Sequence, residues 1–277
     1  MIKYSLRISK VFLFMGEPLE VTHSIKVKHP TLRMIFDEIQ PRLLADVIYQ
    51  NYLATLVCDP YDNMVWLDDH GINYQKVTPF DLFYMKMEDD EKQVARTEDS
   101  IQSIQVKQLF SAQRALNFFL EGEHHFITAT AEDGTKLLYD TNDTEHKTVI
   151  TKDDFNSISA FVQMIHNITE RKDKINPQTE SARKMLIEDM RDEQKRKQRK
   201  QKKDEDSDFL GDILMGVLHG GSGNVTPENF ADVPIYLLTS GMTTIQKQMS
   251  FMNVMTGVYT GNVKYSDVTE KQLAWMQ

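Results

Sequence analysis

The stretch Arg191–Lys203, RDEQKRKQRKQKK, holds eight Lys or Arg residues among thirteen and no apolar residue. Nothing in it can enter a core, so the chain packs before it, after it, or both. An acidic block follows at Asp204–Asp208 (DEDSD), and apolar sequence resumes at Phe209. Working outward from this stretch gives three parts: an α+β body over residues 1–175, a charged helical spacer over 176–207, and a small helical, methionine-rich part over 208–277.

Composition narrows the function classes. The chain has 277 residues, 40% of them hydrophobic, which is enough for a core and too much for global disorder. Its formal net charge is -9, so general attraction to nucleic acid is not expected despite the local basic run. The single cysteine, Cys58, excludes an intrachain disulfide and fits a reducing compartment. The apolar run Val11–Met15 is too short for a secretory signal, and no stretch approaches the twenty or so apolar residues of a membrane span. A soluble protein that needs no membrane is expected.

Periodicity places the elements. Tyr4, Leu6 and Ile8 alternate with polar residues, Val11–Phe14 continues the run, and Leu19, Val21, His23, Ile25 and Val27 alternate again beyond the turn residues Gly16-Glu17-Pro18. This predicts an opening β-hairpin with His23 on its inward row. Pro30–Ile39 has helical spacing with Leu32, Ile35, Phe36 and Ile39 on one face. A second helix carries Leu44, Val47, Ile48, Tyr52, Leu53 and Val57 to a buried Cys58. Short helices are expected over Asp62–Asp69, stopped at Gly71, and from Thr78-Pro79 onward; Glu88–Asp99 is expected to be solvated. Leu109–Leu120 is helical in pattern. Phe126–Ala131 and Lys136–Tyr139 flank Asp133-Gly134, a hairpin turn signal, with a third strand over His146–Thr151. Thr151 and Asp154 form a capping box for a helix carrying Phe155, Ile158, Phe161, Val162, Ile165 and Ile168. Asn176-Pro177 opens the charged helix, and Asp208 caps an amphipathic helix carrying Leu210, Ile213, Leu214, Val217 and Leu218. The fold class is α+β: an N-terminal hairpin, helices, a small inserted antiparallel sheet, a charged spacer helix and a small all-α C-terminal part.

No motif in the chain carries chemistry. Gly220-Gly-Ser-Gly223 follows a helix rather than opening one, and no Gly-Lys-Ser/Thr accompanies it, so it reads as a linker and not a phosphate loop. His124 and His125 are adjacent, and neighbouring residues on a strand point to opposite faces, so they do not converge on a metal. The carboxylates Asp59, Asp62, Asp68, Asp69, Asp153 and Asp154 precede helices or sit in charged runs, where capping accounts for them. No catalytic residue, metal ligand or cofactor is nominated, and a non-enzymatic protein is expected. The basic residues Lys195, Arg196, Lys197, Arg199, Lys200, Lys202 and Lys203 could meet phosphates, but no aromatic residue is interleaved for base stacking. The methionine set Met242, Met249, Met252 and Met255 stands out: Met249, Met252 and Met255 recur at three-residue spacing, with Ile245, Tyr259 and Trp275 in the same part of the chain. They read as core, or as a docking face for an apolar helix, since so small a part covers little of its own apolar surface.

Several stretches together resemble a group of phage tail-region proteins. These are Val233-Pro-Ile-Tyr-Leu-Leu, Phe251 to Gly261 (FMNVMTGVYTG) and Gln272-Leu-Ala-Trp-Met276 at the C-terminal end. In the body they are Lys28-His-Pro-Thr-Leu-Arg-Met-Ile-Phe, Asp59-Pro-Tyr-Asp-Asn-Met-Val-Trp-Leu-Asp-Asp-His-Gly-Ile-Asn-Tyr and Asp81-Leu-Phe, with the helix ending Met164-Ile-His-Asn. Such proteins are similar to tail assembly chaperones, which keep the helical tape measure protein soluble until tube subunits polymerise around it. The resemblance implies partners among tape measure and tube proteins, action in the host cytoplasm, and a globular part joined by a linker to a recruiting part; a homo-oligomer is compatible with that plan. Two alternatives stay open: a structural tail or baseplate component retained in the virion, and a nucleic-acid-binding accessory protein using the basic run.

Overall fold

Polar side chains set where the helices begin. Ser9, Thr31, Ser111, Thr151 and Asp208 each accept a backbone N–H from the third residue onward, the bond that an N-cap supplies to an otherwise unpaired donor. Thr78 and Asp81 exchange such bonds reciprocally, as do Thr151 and Asp154. The computed structural model describes residues 8–96, 109–143, 147–169, 174–201, 208–220, 225–269 and 272. Its helices are α1 (Lys10–Met15), α2 (Leu32–Glu38), α3 (Ala45–Leu56), α4 (Met64–Asp69), α5 (Pro79–Arg96), α6 (Ala112–Phe119), α7 (Lys152–Ile165), α8 (Glu180–Gln201), α9 (Phe209–His219) and α10 (Ile235–Tyr259). Strands β1 (Leu19–Glu20) and β2 (Lys26–Val27) make a small antiparallel pair. Strands β3 (Phe126–Thr130), β4 (Lys136–Asp140) and β5 (Val149–Ile150) make an antiparallel sheet in that order, with Phe126 opposite Asp140 and Leu138 opposite Ile150. The fold is α+β, as the periodicity predicts.

One core runs through the helices and the inner face of the larger sheet. Phe80, Phe83, Phe119, Phe126, Phe155 and Phe161 are fully buried. Phe83 and Phe155 lie 4.6 Å apart between ring centroids and join α5 to α7. Helix α3 packs along α6, where Tyr49 meets Phe118 edge-on at 5.6 Å. The Asp133-Gly134 turn closes β3 and β4, with Gly134 at φ +83°, a conformation that costs glycine nothing.

The N-terminal hairpin lies elsewhere than the alternation predicts. Val11–Phe14 is helical within α1, capped by Ser9 and ended by Gly16 at φ +70°. The paired strands are both drawn from Leu19–Val27 and turn at Thr22–Ser24. His23 sits on that turn and is exposed, not inward. Tyr4 and Leu6 lie outside the described residues. Phe36, Leu44 and Val47, expected on inward faces, are exposed, while Ile35, Ile48 and Leu53 carry the packing. Cys58 is buried as expected but follows α3, whose C-cap is Val57. The charged segment from Glu88 continues α5 as helix to Arg96.

Packing crosses the compositional boundary at Arg191–Lys203. Leu210, Val217, Ile235, Tyr236 and Leu238 belong to the same core as the body. The N–H of Ile235 donates to the Pro30 carbonyl at 2.9 Å, and the N–H of Arg33 to the Ala231 carbonyl at 2.8 Å. Phe14 and Tyr236 meet edge-on at 5.1 Å. The Thr239 hydroxyl, inside α10, donates to the Ile165 carbonyl at 2.9 Å and accepts from Asn167 at 3.0 Å. The charged helix α8 is itself seated at its start. Ile187 is buried, Leu186 and Met190 pack against the core, and Arg191 reaches Asp69 at 2.7 Å and Asp68 at 3.5 Å on α4.

Candidate functional site

Helix α10 carries one charged residue, Lys247, in twenty-five. Its apolar positions Ile235, Leu238, Met242, Ile245, Met249, Met252 and Tyr259, with Thr256 between the last two, are spaced alternately three and four residues apart. That seven-residue period keeps one line along a helix facing one neighbour, as in a coiled coil. The first half of the line is filled. Ile235 and Leu238 are fully buried against the body. Further along, α9 lies so close that a Cβ at Gly216 would fall 2.6 Å from the Met242 sulfur, and one at Gly220 would fall 2.5 Å from Ile245 Cδ1. The glycines let the Met242 and Ile245 side chains of α10 rest directly on the α9 backbone.

Helix α9 ends at His219, beside Ile245, and α10 continues. Gln246–Tyr259 therefore extends about 21 Å beyond that contact at 1.5 Å per residue. Along this arm Met249, Met252 and Tyr259 are 61%, 56% and 81% exposed. The arm has a built end. Gly261 is left-handed at φ +74°, and the N–H groups of Asn262 and Val263 donate to the Gly257 carbonyl at 2.9 and 3.0 Å. This cap satisfies the last carbonyls and seats Val263 against Gly257.

The six residues nominated from the sequence separate into distinct environments. Met249, Met252 and Tyr259 line the open part of the seam, Ile245 sits at the junction with α9, and Met255 is half-buried to one side of the line. Trp275 lies outside the described residues. The three-residue spacing noted from the sequence drifts around a helix; the alternating three-four spacing places Met242, Ile245, Met249, Met252 and Tyr259 on one line and adds Thr256. Other exposed apolar side chains occur on α1 (Val11, Phe14, Met15) and near the start of α3 (Leu43, Leu44, Val47), without a sustained repeat.

The basic run is partly engaged along its own helix. Lys195 pairs with Asp192 at 3.4 Å and Lys197 with Glu193 at 2.8 Å. Lys202, Lys203 and the side chains of Arg199 and Lys200 lie outside the described residues, while Arg196 is exposed on α8.

Two histidines away from this seam hold structure. His124 Nδ1 lies 2.7 Å from an Asp140 oxygen, and Asp140 also accepts the N–H groups of His125 and Asn142 at 2.9 Å. Burial opposes ionisation of Asp140, but these donors prevail and hold it below the usual carboxylate range. His125 does not join His124 around a common centre. His166 is buried; Nδ1 lies 2.7 Å from the Val162 carbonyl and Nε2 lies 2.6 Å from the Tyr49 hydroxyl. The carbonyl can only accept, so Nδ1 carries the proton and Nε2 accepts from tyrosine. Burial pushes the Cys58 thiol up to about 11, which keeps it unreactive. Among the described residues no group of three or more His, Cys, Asp or Glu could hold a metal ion, and no helix is long and apolar enough to cross a membrane.

No protein-family model matches the chain, and neither a curated protein nor a solved structure matches it.

Proposed function

We propose that the chain is a non-enzymatic tail assembly chaperone of a phage, working in the host cytoplasm. It would hold an apolar helical segment of a tape measure protein, or an unassembled tube subunit, on the open seam of α10. The observation that supports this reading most is the division of one seam into two halves. The half up to Ile245 is filled by the body and α9, and the half carrying Met249, Met252 and Tyr259 is open.

The chemistry suits a transient hold. Methionine adapts its shape to varied partners, and burying each Met or aromatic side chain contributes roughly 1.5–3 kcal/mol. A few such contacts mask apolar surface while leaving the partner displaceable by a tighter one, which is mass action and needs no energy source. Backbone and side-chain contacts from Pro30 and Arg33 fix the start of α10 to the body, and Asp46 holds α9 beside it.

Affinity purification of the tagged chain during infection, compared with the protein content of finished virions, tests this. Tape measure or tube protein in the eluate, with this chain missing from virions, is the expected result. Its presence in virions at fixed copy number overturns the chaperone reading in favour of a structural tail component.

A further inference from the structure

We propose that the open seam of α10 is also a homotypic interface, through which two copies of this chain pair their arms antiparallel. This goes beyond the chaperone reading and does not depend on it.

Two features point to a second copy as the occupant. The first is continuity: the line that α9 already covers at Met242 and Ile245 runs without a break into Met249, Met252, Thr256 and Tyr259, so a helix seated there extends an existing packed interface. The second is self-complementarity. A two-fold axis at the level of Val254 places Met249 of one copy opposite Tyr259 of the other, and Met252 opposite Thr256. Each layer pairs a large or long side chain with one that accommodates it, and the two-fold repeats both layers, as an isologous interface requires. In heptad terms each a position meets a d position, the pattern of an antiparallel pair.

The flanks agree. The positions beside the seam are Gln246, Gln248, Asn253 and Met255, none of them charged. Identical helices brought together there meet no like-charge repulsion, the usual obstacle to homotypic pairing. Lys247, the helix's one charge, lies on the side away from the seam. In this register Asn253 faces Asn253 across one flank of the axis and Met255 faces Met255 across the other. Arm pairing and partner binding use the same side chains and exclude each other, so the dimer would shield the arm while no partner is present.

The test uses the full chain in two measurements. Light scattering over a concentration series should give a dimer, and Met252→Glu should raise the dimer dissociation constant at least about tenfold by placing a charge in the seam. At concentrations below the wild-type dimer dissociation constant, where both chains are monomeric, the thermal transition of that variant should match wild type, because Met252 is exposed in the single chain. Oxidative cross-linking then reads the direction. Asn253→Cys should give a disulfide-linked dimer, and Met249→Cys should not, since its two copies stand about 15 Å apart along the axis. A wild-type chain that stays monomeric at every concentration overturns the proposal. So does a Met252→Glu variant that dimerises as well as wild type, or linkage through Met249→Cys in place of Asn253→Cys.

Discussion

The Asp46 carboxylate of helix α3 accepts the backbone N–H of Phe209 at 2.8 Å, 163 residues further along the chain, and that of Leu210 at 3.2 Å. An acid on one helix thus caps the start of another, α9, alongside α9's own Asp208. Burial raises the Asp46 pKa, and the two N–H donors offset only part of that rise. The seat of α9, and with it the wall against which α10 packs, depends on this bond.

Asp46→Ala should therefore cost about 1 kcal/mol of stability, the usual loss of an N-cap. The loss should be local. Amide exchange should accelerate across Phe209–His219 and leave Lys152–Ile165 unchanged, which hydrogen-exchange mass spectrometry reads directly.

Filling the close approach between α9 and α10 should separate them. A Cβ at Gly220 would meet Ile245 Cδ1 at 2.5 Å and the Gly216 carbonyl at 2.6 Å, and the carbonyl cannot swing aside as a side chain can. Gly220→Val should destabilise α9 by about 1–3 kcal/mol through overpacking. Thermal unfolding followed by far-UV circular dichroism measures this, and an unchanged transition would show that the helices do not touch as described.

Removing the ring that joins α5 to α7 should be far more damaging. Phe155 is fully buried and packs on Phe80 and Phe83 at 5.6 and 4.6 Å between centroids. Phe155→Ala should cost roughly 3–5 kcal/mol, the range for a buried aromatic lost to a cavity, as measured by urea denaturation.

Stability should fall on mild acidification. Burial lowers both His29 and His166 from 6.5 to about 4, so each is neutral in the fold. Above pH 6.5 both states are neutral and the full stability is present. As pH drops from 6.5 toward 4 the unfolded chain gains protons that the folded chain refuses. Stability then falls by roughly 1 kcal/mol per pH unit for each histidine, and this contribution levels off below 4. Urea midpoints at pH 7 and 5 should show the loss, and His166→Gln should have a shallower dependence. Equal slopes in the two proteins would contradict a buried neutral His166.

Local signals in the sequence carried well. The Thr151–Asp154 box, the Asp133-Gly134 turn and the Gly71 cap each act within a few residues, and the structure has all three. Val11–Met15 misled because a short, wholly apolar run has no period to read; Ser9 before it and Gly16 after it were the informative residues. His23 followed that run onto the wrong face. The seating of α9 and α10 on the body was not legible, because it rests on pairs such as Arg33–Asp232 and Asp46–Phe209 that lie far apart in the sequence. Met242, Met249, Met252 and Tyr259 are all visible in the sequence, but the three-residue spacing hides the seven-residue line that joins them.

The most direct measurement is the soluble yield of an aggregation-prone tape measure protein co-expressed with this chain, either as wild type or carrying Met249→Glu and Met252→Glu together. The wild type should keep the tape measure protein soluble and co-purify with it, while the double variant, folded to the same thermal transition, should do neither. A tape measure protein that aggregates equally with both, or is rescued equally by both, would contradict the open seam of α10 as the chaperone surface.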